Sequence, residues 1–106
     1  MIWLLLSLLQ SRYYWPVTIR AIVSGLNKHT HVAVRAVVIR QYREADGDKH
    51  SWILDSVTRD SMVVECIPKI PCPTLIAGAT GVIYGITRFD AEHKWWEIHP
   101  VEDFKQ

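Results

Sequence analysis

The alternation of apolar and polar positions is clearest from Val32 onward. Val32, Val34, Ala36 and Val38 fall on one side of an extended chain, and Ala33, Arg35, Val37 and Ile39 on the other. Apolar residues on both sides predict a strand buried on both faces, or one that bends between two sheets. The run turns through Asp46-Gly47, a dipeptide that accepts the positive φ of the tight turns that match strand twist, so Val32 to Leu54 reads as a hairpin. Its return arm places His50, Trp52 and Leu54 on one face and Ser51, Ile53 and Asp55 on the other.

Further strands follow at regular spacing. The polar link Thr58-Arg59-Asp60-Ser61 leads into a third, Met62 to Ile67. Pro68, Pro71 and Pro73 then exclude a ladder-bonded strand or a helix interior, and Thr74 to Ala79 leaves room for a short turn or a single helical turn. Gly81 to Asp90 alternates as a fourth strand, with Gly85 marking a bulge or a close backbone contact. Ala91 to Lys94 connects it to a closing strand at Trp95 to Val101.

Ahead of the hairpin, Ile19, Ile22, Val23 and Leu26 follow the helical template, with Pro16 suited to the first turn and Gly25 near the stop. Val17, Ile19, Ala21 and Val23 also fit a strand, and both readings stay open. Met1 to Leu9 is apolar but lacks the basic start and the cleavage site of a signal peptide, and it is too short to span a bilayer. Continued through Arg12, Tyr13, Tyr14 and Trp15, it reads either as an interfacial helix with its aromatics at headgroup level or as a helix packed on the barrel or on a partner. The expected fold is all-β: a five-stranded OB-type Greek-key barrel over residues 31–106, preceded by an apolar, helical segment over residues 1–30.

Composition narrows the classes. At 106 residues, 49% of them hydrophobic, the chain has the length of one domain and apolar content that argues against wholesale disorder. A net charge of +1 is far from the balance of a sequence-independent DNA binder. The charge is unevenly spread, with seven Lys/Arg against three Asp/Glu in residues 1–50 and five against eight in residues 51–106. The basic half could form a patch or simply a scattered surface. Cys66 and Cys72 could make one disulfide but are too few for a zinc site, and Cys66 reads as a packed thiol within an apolar strand. The compartment stays open, with a cytoplasmic setting favoured and membrane association through residues 1–15 as the option.

Four blocks occur in order: E-x-D-G-D-x-H at Glu44 to His50, V-x-E-C-x-P at Val63 to Pro68, G-I-T-R-F-D at Gly85 to Asp90 and W-E-I-H-P-V at Trp96 to Val101. In these the chain resembles a group of small bacterial and phage-encoded OB-fold-like proteins, most of them uncharacterised. The resemblance covers roughly Thr30 to Asp103. It implies the fold and contact with nucleic acid, and it supplies no catalytic residue. Ala36 departs from it, standing where such sequences often carry glycine in the bent first strand.

Asp46, Asp48, His50, Glu97 and His99 are the candidates for a divalent ion, because carboxylates and imidazoles two apart lie on one side of a strand. Asp46 and Asp48 are more simply explained as turn residues bonding nearby N–H groups, so no metal and no cofactor is expected. No recognised nucleophile, phosphate or metal-protease motif occurs, and the chain reads as a binding module without an enzyme's machinery. Arg40, Tyr42, Arg43, Lys49, Trp52 and Trp95 are the candidate nucleic-acid contacts: aromatic rings beside basic groups on the first hairpin suit stacking of single-stranded bases. Tyr84 and Trp96 are expected in the core. Alternation sends one of Trp95 and Trp96 inward and leaves the other for a lid or a partner. A second reading is a protein-interaction or membrane-associated assembly module acting through residues 1–15, and a third is a metal-dependent hydrolase using the Asp/His/Glu set.

Overall fold

A computed structural model describes residues 14–43 and 49–106, with residues 41–43 described through their backbone. The apolar start of the chain, Asp46, Asp48 and the Asp46-Gly47 tip lie outside the described residues. The elements run β1 (Trp15–Pro16), α1 (Ile19–Val23), β2 (His31–Arg43), β3 (Lys49–Leu54), β4 (Ser61–Cys66), β5 (Thr80–Asp90) and β6 (Trp95–Lys105). The sheet order is β1-β2-β3-β4-β6-β5, and β5 pairs back onto β2, so β2 to β6 close a five-stranded barrel with β1 added in parallel at one side.

Closure depends on the length of β2. Its first half, His31 to Val37, pairs with β5, and its second half, Val37 to Arg43, pairs with β3. The register slips between Val38 and Arg40, and this bulge lets one strand serve both sides. Val32, Val34, Ala36 and Val38 are all buried. Of the two readings of this strand, burial on both faces does not hold: Ala33 and Val37 are only half-buried and Arg35 and Ile39 are exposed, because the other face is the outside of the barrel.

The inward rows continue with Ile53 on β3, Met62, Val64 and Cys66 on β4, Ile83 on β5, and Ile98 and Val101 on β6. Each fully buried aliphatic side chain contributes about 1.5–3 kcal/mol. Gly85 supplies the close approach expected of it. A β-carbon there would meet Ile98 Cγ2 at 2.5 Å and the Pro100 carbonyl at 2.6 Å, where the β5–β6 register also shifts.

Of the two readings left open for Val17 to Leu26, the structure shows a helix, over Ile19–Val23 alone. Thr18 caps α1 by accepting a bond from the Ala21 N–H, and Gly25, at φ 79°, sits in the left-handed region just past its end. Pro16 belongs to β1 instead of the first helical turn, and Leu26 is exposed beyond the helix. Ile19 and Ile22 join the barrel core as α1 packs on β4 and β6, so this part of the chain is integral to the one core. No helix among the described residues is long and apolar enough to cross a membrane.

Two hairpin turns share one design. In Asp55 to Arg59 and in Asp90 to Lys94, the aspartate Oδ1 accepts N–H bonds two and three residues on, and its carbonyl accepts one from the fifth residue. That fifth residue, Arg59 or Lys94, has positive φ. The proline-rich crossover between β4 and β5 contains no helical turn; it is tied by a Cys66–Cys72 disulfide and by Leu75, which is buried in the core. Cys66 is therefore packed, as expected, and joined to Cys72 in the disulfide that the sequence left open.

Candidate functional site

The barrel's closure puts residues far apart in sequence into rows on its outer face. Arg40, Trp52, Val63, Glu97 and Arg88 are consecutive cross-strand partners over β2, β3, β4, β6 and β5. In the next row, Tyr42 takes the register position opposite His50, and His50 that opposite Glu65. Cross-strand partners share a face, so the barrel gathers aromatic, basic and acidic groups on one outward surface.

At its centre lies a charged cluster. Glu65 and Glu97 are outward-facing yet almost wholly buried, at 6% and 2% exposure. His50 Nε2 lies 2.7 Å from Glu65 Oε1, and His99 Nδ1 lies 2.9 Å from Glu65 Oε2 and 3.1 Å from Glu97 Oε1. Trp95 Nε1 donates to Glu97 Oε2 at 3.2 Å, and Arg88 Nη1 lies 3.2 Å from His99 Nδ1. Burying two carboxylates is costly unless donors surround them; two imidazoles and an indole meet them here, with the Arg88 guanidinium on the His99 ring behind.

Beside the cluster runs a stack of rings. His93 lies flat on Trp95, with centroids 4.7 Å apart, and Trp95 meets Trp52 edge to face at 5.7 Å. The Asp90 carboxylate bonds the His93 ring at 2.8 Å, which raises the imidazole pKa above its ordinary value and holds the carboxyl below its own. Trp96 turns inward against the core while Trp95 stays on the surface, so the alternation read from the sequence holds for that pair. Tyr84 corrects the expectation for it. Its neighbour Ile83 takes the core position, and Tyr84 lies outside it, edge-on to Tyr14 with the Lys105 ammonium over its ring.

The candidate residues divide. Arg40, Trp52 and Trp95 share the outer face, which also carries the Tyr42 register position. Lys49 lies on the alternate face with Ser51 and Ile53, opposite Cys66, and Arg43 pairs with Lys49 by register. Of the ion candidates, His50, Glu97 and His99 come together, whereas Asp46 and Asp48 lie outside the described residues. Glu65 is the member that the sequence reading missed. It stands in the apolar run V-V-E-C, and its partners arrive from β3 and β6, although its position on the face opposite Val64 and Cys66 is a signal in itself.

No family model, no curated protein and no solved structure matches this chain. The functional reading therefore rests on the residues themselves.

Proposed function

We propose that the chain is an OB-type barrel that binds single-stranded nucleic acid on its outer face, without catalysing a reaction. The barrel order β2-β3-β4-β6-β5-β2, with β4 and β6 parallel, supports the OB assignment, as does the resemblance of four sequence blocks to small bacterial and phage OB-fold-like proteins.

The observation that carries the binding reading is the half-buried Trp52–Trp95 pair beside Arg40, between the β2–β3 hairpin and the β5–β6 turn. Rings held in place by their neighbours lose little entropy on stacking against a base, and each stack is worth about 1–3 kcal/mol. Arg40 is exposed, and it adds a phosphate contact from the adjoining strand. Glu65 and Glu97 stand on the same face, but their burial against imidazoles keeps their charge from dominating the surface.

Nuclear magnetic resonance of the tryptophan indole N–H groups tests the location. Titration with a short oligodeoxythymidylate shifts the Trp52 and Trp95 signals and leaves that of Trp96 in place. Shifts confined to other tryptophans, or none, would refute this face as the binding surface.

A further inference from the structure

We propose that Glu65, Glu97 and His99 form a binding site for a first-row divalent cation of the Mn²⁺ or Zn²⁺ kind, placed across the β4–β6 seam of the barrel. The sequence reading expected no metal. It had not brought Glu65 beside the other two.

The argument begins with His99 Nδ1. Three polar atoms crowd it: Glu65 Oε2 at 2.9 Å, Glu97 Oε1 at 3.1 Å and Arg88 Nη1 at 3.2 Å. As a hydrogen-bond arrangement this is overcommitted. A protonated Nδ1 has one N–H to offer two carboxylates and faces the Arg88 donor with no lone pair. An unprotonated Nδ1 accepts from Arg88 but sets its lone pair against those of two carboxylate oxygens.

As a ligand set the same atoms are consistent. Donors about 2.0–2.2 Å from an ion lie about 2.8–3.1 Å apart at the right angles of an octahedral site, as for Mn²⁺, and about 3.3–3.6 Å apart at the tetrahedral angles usual for Zn²⁺. The two separations from Nδ1 fall in the octahedral range, and Glu65, Glu97 and His99 each offer a ligand atom within 4.8 Å of the others. Two carboxylates and one imidazole on one side of an ion leave the remaining positions for water, a donor mixture that suits Mn²⁺ and Zn²⁺.

The neighbours are arranged as a metal site needs them. Glu65 directs Oε2 to the shared point while Oε1 meets His50, and Glu97 directs Oε1 there while Oε2 accepts from Trp95. Such outer partners fix carboxylate orientation. The ion would also have a structural use. β4 and β6 are matched at only Val63–Glu97 and Val64–Ile98, and the three ligands come from these two strands.

On binding, the imidazole keeps its proton on Nε2 and gives the Nδ1 lone pair to the ion. If the ring starts as imidazolium, the Nδ1 proton leaves to solvent. Arg88, which is exposed, swings away from Nδ1. Among the described residues, the charged groups facing the site are His50 from β3, Glu65 from β4, Glu97 and His99 from β6, and Arg88 from β5. Because metal ligands bind in their deprotonated forms, uptake should weaken on acidification.

The test is isothermal calorimetry of the full chain with MnCl₂ and with ZnCl₂, at neutral pH and at about pH 5. The expected result is saturable binding of one ion per chain at neutral pH, weaker in acid, with a rise in melting temperature. Glu97→Gln and His99→Gln each weaken it by at least about tenfold. Glu92→Gln, on the exposed turn, has no effect. If the cluster variants do not fold, paramagnetic broadening in the unmodified protein decides: Mn²⁺ must broaden the His99 and His50 ring signals before those of His29 and His31. Absence of saturable uptake of either ion at millimolar concentration overturns the proposal. So does uptake indifferent to His99→Gln, or broadening that begins at His29 or His31.

Discussion

Gly85 on β5 passes so close to Ile98 on β6 that a methyl group on its Cα would lie 2.5 Å from Ile98 Cγ2. The Pro100 carbonyl stands 2.6 Å from the same point and, being backbone, cannot swing aside. Gly85→Ala should therefore force β5 and β6 apart and cost about 1–3 kcal/mol, the usual range for overpacking. Gly78 gives the contrast. It has φ 88° with nothing near its missing β-carbon, so Gly78→Ala should show only backbone strain of roughly 1 kcal/mol. Urea denaturation of both variants checks the order, and equal losses would contradict the contact argument.

The Cys66–Cys72 bond closes a loop spanning six residues of the proline-rich crossover. Limiting the freedom of so short a loop in the unfolded chain is worth about 2 kcal/mol. Cys66→Ala combined with Cys72→Ala should lower unfolding stability by roughly that amount while the β-rich circular dichroism spectrum persists. Unchanged stability would show that the crossover is held by Leu75 and by its backbone bonds to Val38.

Asp90 and His93 should produce a pH-dependent contribution with a definite window. The imidazole pKa is raised, chiefly by the hydrogen bond that the ring donates to Asp90, so its contribution is full below the ordinary histidine value and is lost as pH rises through the higher folded value. The carboxyl pKa is lowered, chiefly by the bond to His93, so its contribution is present above the ordinary aspartate value and is lost as pH falls through the lower folded one. The pair therefore helps most between about pH 4 and pH 6.5. A proton resonance titration should place the His93 midpoint above that of an ordinary histidine, and Asp90→Asn should bring it down. A midpoint unmoved by Asp90→Asn would contradict the pairing.

Local signals carried most of the fold. The inward row Val32, Val34, Ala36 and Val38 was visible as alternation, Gly85 as a close contact, and the Trp95–Trp96 split as strand geometry. Strand ends were harder to read. β6 continues to Lys105, past Val101, because Asp103 and Phe104 find partners in Tyr84 and Ile83 of β5, information absent from the local sequence. Tyr84 was misplaced for a related reason: aromatic bulk suggests burial, but Ile83 takes the inward position and the following residue must face out. The shared side of Glu97 and His99 follows from their spacing of two. Their meeting with Glu65 and His50 required the β3–β4 register and the parallel β4–β6 pairing, long-range facts that no window of sequence contains.

The proposed binding surface is tested most directly by fluorescence anisotropy of a labelled single-stranded oligonucleotide titrated with the full chain at two salt concentrations. The account predicts modest affinity with a shallow salt slope, as expected for a chain of net charge +1. Trp52→Ala should weaken binding by about 1–3 kcal/mol, and Arg40→Ala should reduce the salt slope by about 0.7, the value of one phosphate contact on a single strand. Absence of binding at low salt and tens of micromolar protein, or binding that Trp52→Ala leaves intact, would contradict it.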